Sequence, residues 1–324
     1  YKVFELQYLL KQSDTKALIL TDGFKDVDYI KTIYQLCPDL PEFAPGTYYN
    51  LDFPHLQSFI YIGDKTPEGM YNFKDLQAMG GSISNRQFEL VGSRLRPSDV
   101  INMQYTSGTT GFPKGVMLTH YNIINNGLSI GDRMNFTEED RLCIPVPFFH
   151  CFGMVLSIMA CVTHASSMVP LEYYNPTRFM QACQEEECTA VHGVPTMFIA
   201  VFEHPDFPKY TFPKLRTGIM AGSPCPAKGM QVVTDKMGME EITIVFGQTE
   251  ASPGCTQTFA DDPIDVRVNT VGTPLPGIEC KIVNPDTGED APDGVQGEFC
   301  ARGYNIMKGY YKMEEATRAV IDED

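Results

Sequence analysis

Short apolar runs alternate with amphipathic stretches along most of the chain. Near its start, Ala17-Leu18-Ile19-Leu20 and Phe59-Ile60-Tyr61-Ile62 read as buried strands, and residues 26–36 as a helix. Residues 2–10 place apolar positions at helical spacing and predict an amphipathic helix on a sheet, with the preceding strand expected upstream of residue 1. Residues 38–54, rich in Pro, Gly and Tyr, predict a loop.

From residue 100 the alternation becomes regular. Strands are expected at 100–105, 142–145, 167–169, 189–194, 215–220 and 242–245, and helices at 152–162 and 226–237. A further helix opens at Asn175-Pro176, an N-cap followed by a first-turn proline, and runs to about residue 187. Strands and helices taken in turn imply an α/β fold with doubly wound, mostly parallel sheets. The Met and aromatic residues of 148–159 read as core.

The pattern changes after about residue 260. Strand-like stretches at 279–283 and 298–301 are separated by the turn sequences Pro285-Asp286-Thr287-Gly288 and Pro292-Asp293-Gly294. Short strands joined by tight turns predict a small antiparallel, β-barrel-like subdomain. The expected division is therefore α/β subdomains over 1–260 and a β-rich subdomain over 261–324.

Composition narrows the class. The 324 residues are 43% hydrophobic, enough for one large or two ordinary domains, and no stretch has the length and apolarity of a membrane span. With 25 Lys and Arg against 41 Asp and Glu, the formal charge of −16 argues against non-specific nucleic-acid binding. The ten cysteines include no C-x-x-C pair and sit mostly in apolar runs, which reads as a reduced, cytoplasmic protein. The chain opens at Tyr1 without a Met, so a preceding targeting segment is left open; so is self-association as a homodimer.

Two runs carry chemistry. The first is Tyr105-Thr106-Ser107-Gly108-Thr109-Thr110-Gly111-Phe112-Pro113-Lys114-Gly115-Val116, read as a loop between the strand at 100–105 and a helix capped by Thr119. Its glycines let backbone N–H groups approach an anion, its hydroxyls add small donors, and Lys114 adds a positive charge behind a stiff proline. That is a phosphate cradle. It is not the P-loop spacing, because Lys114 lies three residues after Gly111 and precedes another glycine. The second run, Phe246-Gly247-Gln248-Thr249-Glu250, comes after the strand at 242–245, where α/β sheets build ligand sites. Glu250 suits Mg²⁺, which prefers oxygen donors and bridges protein carboxylates to phosphates. Thr249 suits a phosphate oxygen, and Phe246 offers a ring to a base. His150 reads equally as a satisfied histidine at a helix start or as a substrate contact, and the other histidines as structural.

Together the two runs resemble the signatures of the adenylate-forming superfamily, which includes acyl-CoA synthetases, luciferases and peptide-synthetase adenylation domains. Phe246 departs from the tyrosine usual there. Pro147-Phe148-Phe149-His150-Cys151-Phe152-Gly153 resembles the family's histidine-bearing segment, and Gly193-Val194-Pro195-Thr196-Met197 and Ala221-Gly222-Ser223-Pro224 resemble segments lining acyl group and adenine. Gly297-Glu298, Gly303-Tyr304 and Met307-Lys308-Gly309-Tyr310-Tyr311 resemble the stretch closing the large N-terminal domain.

The resemblance implies that Thr106, Ser107, Gly108, Thr109, Thr110, Gly111 and Lys114 hold the phosphates of ATP, with Thr106 and Glu250 sharing Mg²⁺. It implies that Gly222, Ser223, Pro224, Phe246 and Gly247 border the adenine, and that Thr249 contacts the α-phosphate. His150, Phe152, Val194, Gly222 and Phe246 would border the acid; Lys114, Thr249, Glu250 and His150 would carry catalysis. The implied reaction activates a carboxylic acid as an acyl-adenylate and passes it to coenzyme A. Apolar neighbours of His150 favour a fatty acid, and no aspartate suits an amino-acid amine. The family's C-terminal domain with its catalytic lysine has no counterpart here, so an ATP- and acyl-binding module without turnover is the second reading and an aryl or other acid the third.

Overall fold

The computed structural model describes residues 2–106 and 111–322, and the chain divides into two units, residues 1–95 and 96–324.

In the first unit three short parallel strands lie in the order β1 (Ala17–Leu20), β4 (Ser58–Tyr61), β5 (Tyr71–Asn72). A ribbon of β2 (Gly23–Phe24) and β3 (Val27–Asp28) sits between β1 and β4 in the chain. The expected helix at 26–36 therefore starts later, at Tyr29, because the chain first turns back on itself at Lys25, φ +53°. Asp28 then caps the helix by accepting a hydrogen bond from Lys31 N at 2.8 Å. Leu10, Ile33, Leu40, Leu56 and Phe59 fill this unit's core.

The second unit is built on seven strands. After β6 (Val100–Thr106) and β7 (Lys114–Thr119) come β8 (Arg141–Ile144), β9 (Ser167–Pro170), β10 (Ala190–Gly193), β11 (Thr217–Ala221), β12 (Glu241–Gly247), β13 (Gly254–Gln257) and β14 (Thr273–Pro274). The sheet runs β14-β13-β12-β11-β10-β8-β9, parallel from β12 to β9 and antiparallel at β13 and β14.

Alternation within the strands shows why helices cover both faces. Cys143, Val191, Met220 and Ile244 point into one apolar cluster with Phe179, Phe198 and Met230 from the helices Pro176–Glu185, Pro195–Phe202 and Ala227–Met237. Their neighbours Leu142, Ala190, Ile219 and Val245 point into another, with Ile130 of the helix His120–Arg133 and with Phe152 and Leu156. The doubly wound expectation holds, and residues 148–159 contribute core at Val155 and Leu156, though Phe148 and Phe149 are exposed. The stretch Phe152–Met159 is a π-helix, and Ser157 Oγ donates to Phe152 O at 3.1 Å.

Two expectations need correction. The first run leads from strand β6 into strand β7, which pair antiparallel, and not from a strand into a helix. Val116 and Leu118 are buried as strand residues, and only then does Thr119 cap the helix at His120, as expected, accepting from Asn122 N at 3.2 Å. After residue 260 the short antiparallel strands form, but among the described residues they close no barrel. β15 (Ile278–Val283) and β16 (Glu298–Gly303) make a two-stranded ribbon, β14 joins the large sheet, and β17 (Gly309–Tyr310) returns to pair with β7. The change of pattern near residue 260 thus falls inside the second unit. Among the described residues no helix is long and apolar enough to cross a membrane.

Candidate active site

The hairpin places Thr106 opposite Lys114 as register partners at the base of the first run. Ser107, Gly108, Thr109 and Thr110 lie outside the described residues. Gly111 has φ +100°, a conformation that a side chain would strain, and among the described residues nothing lies within 4 Å of a Cβ built there.

Lys114 Nζ stands 4.7 Å above the ring centroid of Tyr310, a cation–π contact. Tyr310 comes from β17, whose pairing with β7 is flanked by Lys308 N donating to Met117 O and Tyr311 N donating to Gly115 O, at 2.9 and 2.8 Å. Its own N–H donates to Thr317 Oγ1 at 2.9 Å. Tyr310 is 5% exposed, and its hydroxyl donates to Glu250 Oε1 at 2.7 Å. Burial, and then the adjoining carboxylate, push the phenol's pKa well up, so the hydroxyl stays a donor. One tyrosine therefore joins the lysine of the first run to the glutamate of the second.

The second run is fixed by its backbone. β12 ends at Gly247, where a Cβ would strike Pro253 O, and Thr249–Ala251 makes one tight turn. Met307 N donates to Glu250 O at 2.8 Å, Ser252 Oγ to Asn305 O at 2.5 Å and Asn305 Nδ2 to Ala251 O at 3.1 Å. The histidine-bearing segment reaches the same turn. Buried Cys151 has Thr249 within hydrogen-bonding reach and Glu250 nearby; burial pushes its thiol up to about 12. Next to it, His150 Nδ1 accepts from Phe152 N at 3.1 Å, which leaves the ring proton on Nε2. His150 is open to solvent in surface terms, yet enough protein surrounds the ring for desolvation to lower its pKa. Phe152, expected beside the acid, is 6% exposed and packs on His192, ring centroids 5.8 Å apart, so it backs the site from within the core.

A cavity of about 770 Å³ opens at the carboxyl ends of β11 and β12. Gly222, Ser223, Pro224, Phe246 and Gly247 line it, together with Arg267 and the segment 268–272. Gly222 has φ +89° and leaves 3.2 Å between a built Cβ and Val194 Cγ1, which puts Val194 behind that wall. Phe246 is 40% exposed and braced edge-on by Phe299 at 5.0 Å. The volume falls in the range of small-molecule sites.

Sequence reasoning does not single out Tyr310, Cys151 or Arg267. The Gly-Tyr-Tyr run flags the first only as part of a resemblance. Arg267, whose guanidinium donates to Asp262 O, Glu240 O and Ile242 O, carries no sequence signal.

The family profile described as AMP-binding enzyme matches residues 1–311. The chain belongs to the AMP-binding enzymes. Among its relatives in that family, the Bacillus subtilis protein named "Putative acyl-CoA synthetase YngI" is 50% identical over 324 residues, all of this chain and 59% of that protein. The mitochondrial medium-chain acyl-CoA ligase ACSF2 of Danio rerio is 37% identical over 327 residues, again all of this chain and 54% of that protein. The chain thus spans somewhat over half the length of these AMP-binding relatives. The crystal structure of the anthranilate CoA ligase AuaEII in complex with anthranoyl-AMP superposes with a TM-score of 0.83 at 21% identity, over 98% of this chain and 57% of that one, a likeness of fold.

Proposed function

We propose that this chain carries the nucleotide- and acid-binding site of an AMP-forming fatty acid–CoA ligase. The observation that supports it most is the meeting of Lys114 and Glu250 on Tyr310, which joins the two signature runs at one place. A fatty acid is favoured over other acids by the similarity, over all of this chain and 54% of that protein, to a medium-chain acyl-CoA ligase. In this reading residues 1–260 bind nucleotide and acyl group, and residues 261–324 form the β-rich remainder.

In the first step a carboxylate oxygen attacks the α-phosphorus of ATP, the bond to the β-phosphate oxygen breaks, and pyrophosphate leaves. In the second the sulfur of coenzyme A attacks the acyl carbon, AMP leaves and the thiol proton goes to solvent. Both reactants of the first step are anions, so catalysis is positioning and charge stabilisation. Lys114 supplies the fixed positive charge and Thr249 a hydroxyl toward the α-phosphate. Gly222, Ser223 and Pro224 wall the adenine with Phe246 and Gly247, Val194 lies behind them, and His150 presents its Nε2 proton toward the acid.

The donors fit magnesium: the Glu250 oxygen not held by Tyr310 and the Thr106 hydroxyl are hard oxygen ligands. When bound, magnesium neutralises charge on the phosphates.

The test is acid-dependent exchange of labelled pyrophosphate into ATP with fatty, aryl and amino acids. Exchange confined to fatty acids supports the reading; exchange with aryl acids alone replaces the substrate class; none with any acid removes the activity.

A further inference from the structure

A lysine and a glutamate that serve the same nucleotide face a common hazard. Left within reach they form an ion pair, and each then offers less to phosphate or metal. Among the described residues no ion pair joins Lys114 to Glu250; Tyr310 stands between them. Its hydroxyl takes Glu250 Oε1 at 2.7 Å, and its ring carries Lys114 Nζ at 4.7 Å. The phenol does not neutralise the carboxylate, and the ring does not neutralise the ammonium.

Tyr310 is also rigid enough for the task. It is 5% exposed, its strand is paired to β7, and its N–H is held by Thr317. A tyrosine has few torsions to freeze, whereas glutamate and lysine are long and lose much rotamer freedom when ordered. Because β7 carries Lys114 and β17 carries Tyr310, the strand register itself sets where the two charges stand.

Resting on the function proposed above, we infer that Tyr310 is a positioning residue: it holds Glu250 and Lys114 apart and aimed, the one by its hydroxyl and the other by its ring. Glu250 thereby keeps one oriented oxygen for magnesium, and Lys114 keeps its charge for phosphate. The two halves of Tyr310 act on different ligands, so substitutions separate them.

The experiment measures ATP binding by calorimetry, once with Mg²⁺ and once with EDTA, on the wild-type chain and on Tyr310→Phe, Tyr310→Leu and Glu250→Gln, with melting curves for each. Tyr310→Phe keeps the ring. It is expected to reduce the Mg²⁺-dependent gain in ATP affinity about 10-fold, the usual order for a residue that orients a metal ligand, and to leave binding in EDTA unchanged. Tyr310→Leu is expected to weaken binding in EDTA as well. If Tyr310→Phe melts lower but binds like wild type in both conditions while Glu250→Gln loses the Mg²⁺ gain, Tyr310 is only structural and the inference is overturned. If wild type binds no ATP, or Glu250→Gln keeps the full Mg²⁺ gain, the reading of the site itself fails, and the inference falls with it.

Discussion

Gly222 lies against Val194: a Cβ built on Gly222 stands 3.2 Å from Val194 Cγ1, at a backbone φ of +89°. An L side chain at such a φ costs about 1–2 kcal/mol, and here the neighbouring valine must also give way. Gly222→Ala is therefore expected to shift the wall between β10 and β11 and to weaken ATP binding about 10-fold, equivalent to about 1.4 kcal/mol. Calorimetric titration with ATP checks this; unchanged affinity would make Gly222 a residue of the fold alone.

Lys114 and Glu250 are the charges that meet on Tyr310. Lys114→Ala and Glu250→Ala are each expected to lower acid-dependent pyrophosphate exchange by roughly 10²–10³, the cost of one lost transition-state contact. Near-normal exchange in either variant removes that residue's role.

The parts of this site legible in the sequence are those written in local patterns. The runs at 105–116 and 246–250 announce themselves by composition, the strands by apolar runs, and Thr119 by its position before a helix. The hidden parts depend on distant pairing. Glu250 and Tyr310 are 60 residues apart and meet only because β17 returns to β7. The strand Lys114–Thr119 is hard to read because Gly, Pro and Thr signal a turn without specifying the element beyond it, and two of its four buried positions are Gly115 and Thr119, which carry no strand signal. Phe152 looks like a pocket residue from its motif, yet the π-helix that starts there turns it onto His192.

Phe246 tests the adenine wall. Its ring is 40% exposed toward the cavity side and braced by Phe299. Phe246→Ala removes both the stacking surface and that brace; with base–aromatic stacking worth about 1–3 kcal/mol, ATP affinity is expected to fall at least about 5-fold. Phe246→Tyr keeps the ring and is expected to bind as wild type. Equal affinity in all three proteins, measured by the same titration, places the base elsewhere.

His192 governs a pH effect that the chemistry of the site does not. It is fully buried, its Nδ1 is 2.9 Å from Ser157 Oγ and its Nε2 3.2 Å from Met134 Sδ, and Phe136 and Phe152 pack on the ring. Desolvation pulls its pKa down to about 3. An unfolded histidine takes its proton near pH 6.5. Between about 6.5 and 3 the unfolded chain therefore binds a proton that the folded chain refuses, so stability is present above about 6.5 and is lost as pH falls, with a slope approaching about 1.4 kcal/mol per unit. His192→Asn is expected to be less stable near pH 7, since the rings and Ser157 lose their partner, but to lose less on acidification. Urea midpoints for both proteins at pH about 7.5, 6.5 and 5.5 bracket the start of that window. Carboxylates titrate alike in both proteins and cancel in the difference. A stability gap that narrows as pH falls matches a neutral buried His192; a constant gap means that its proton does not distinguish the folded chain from the unfolded one.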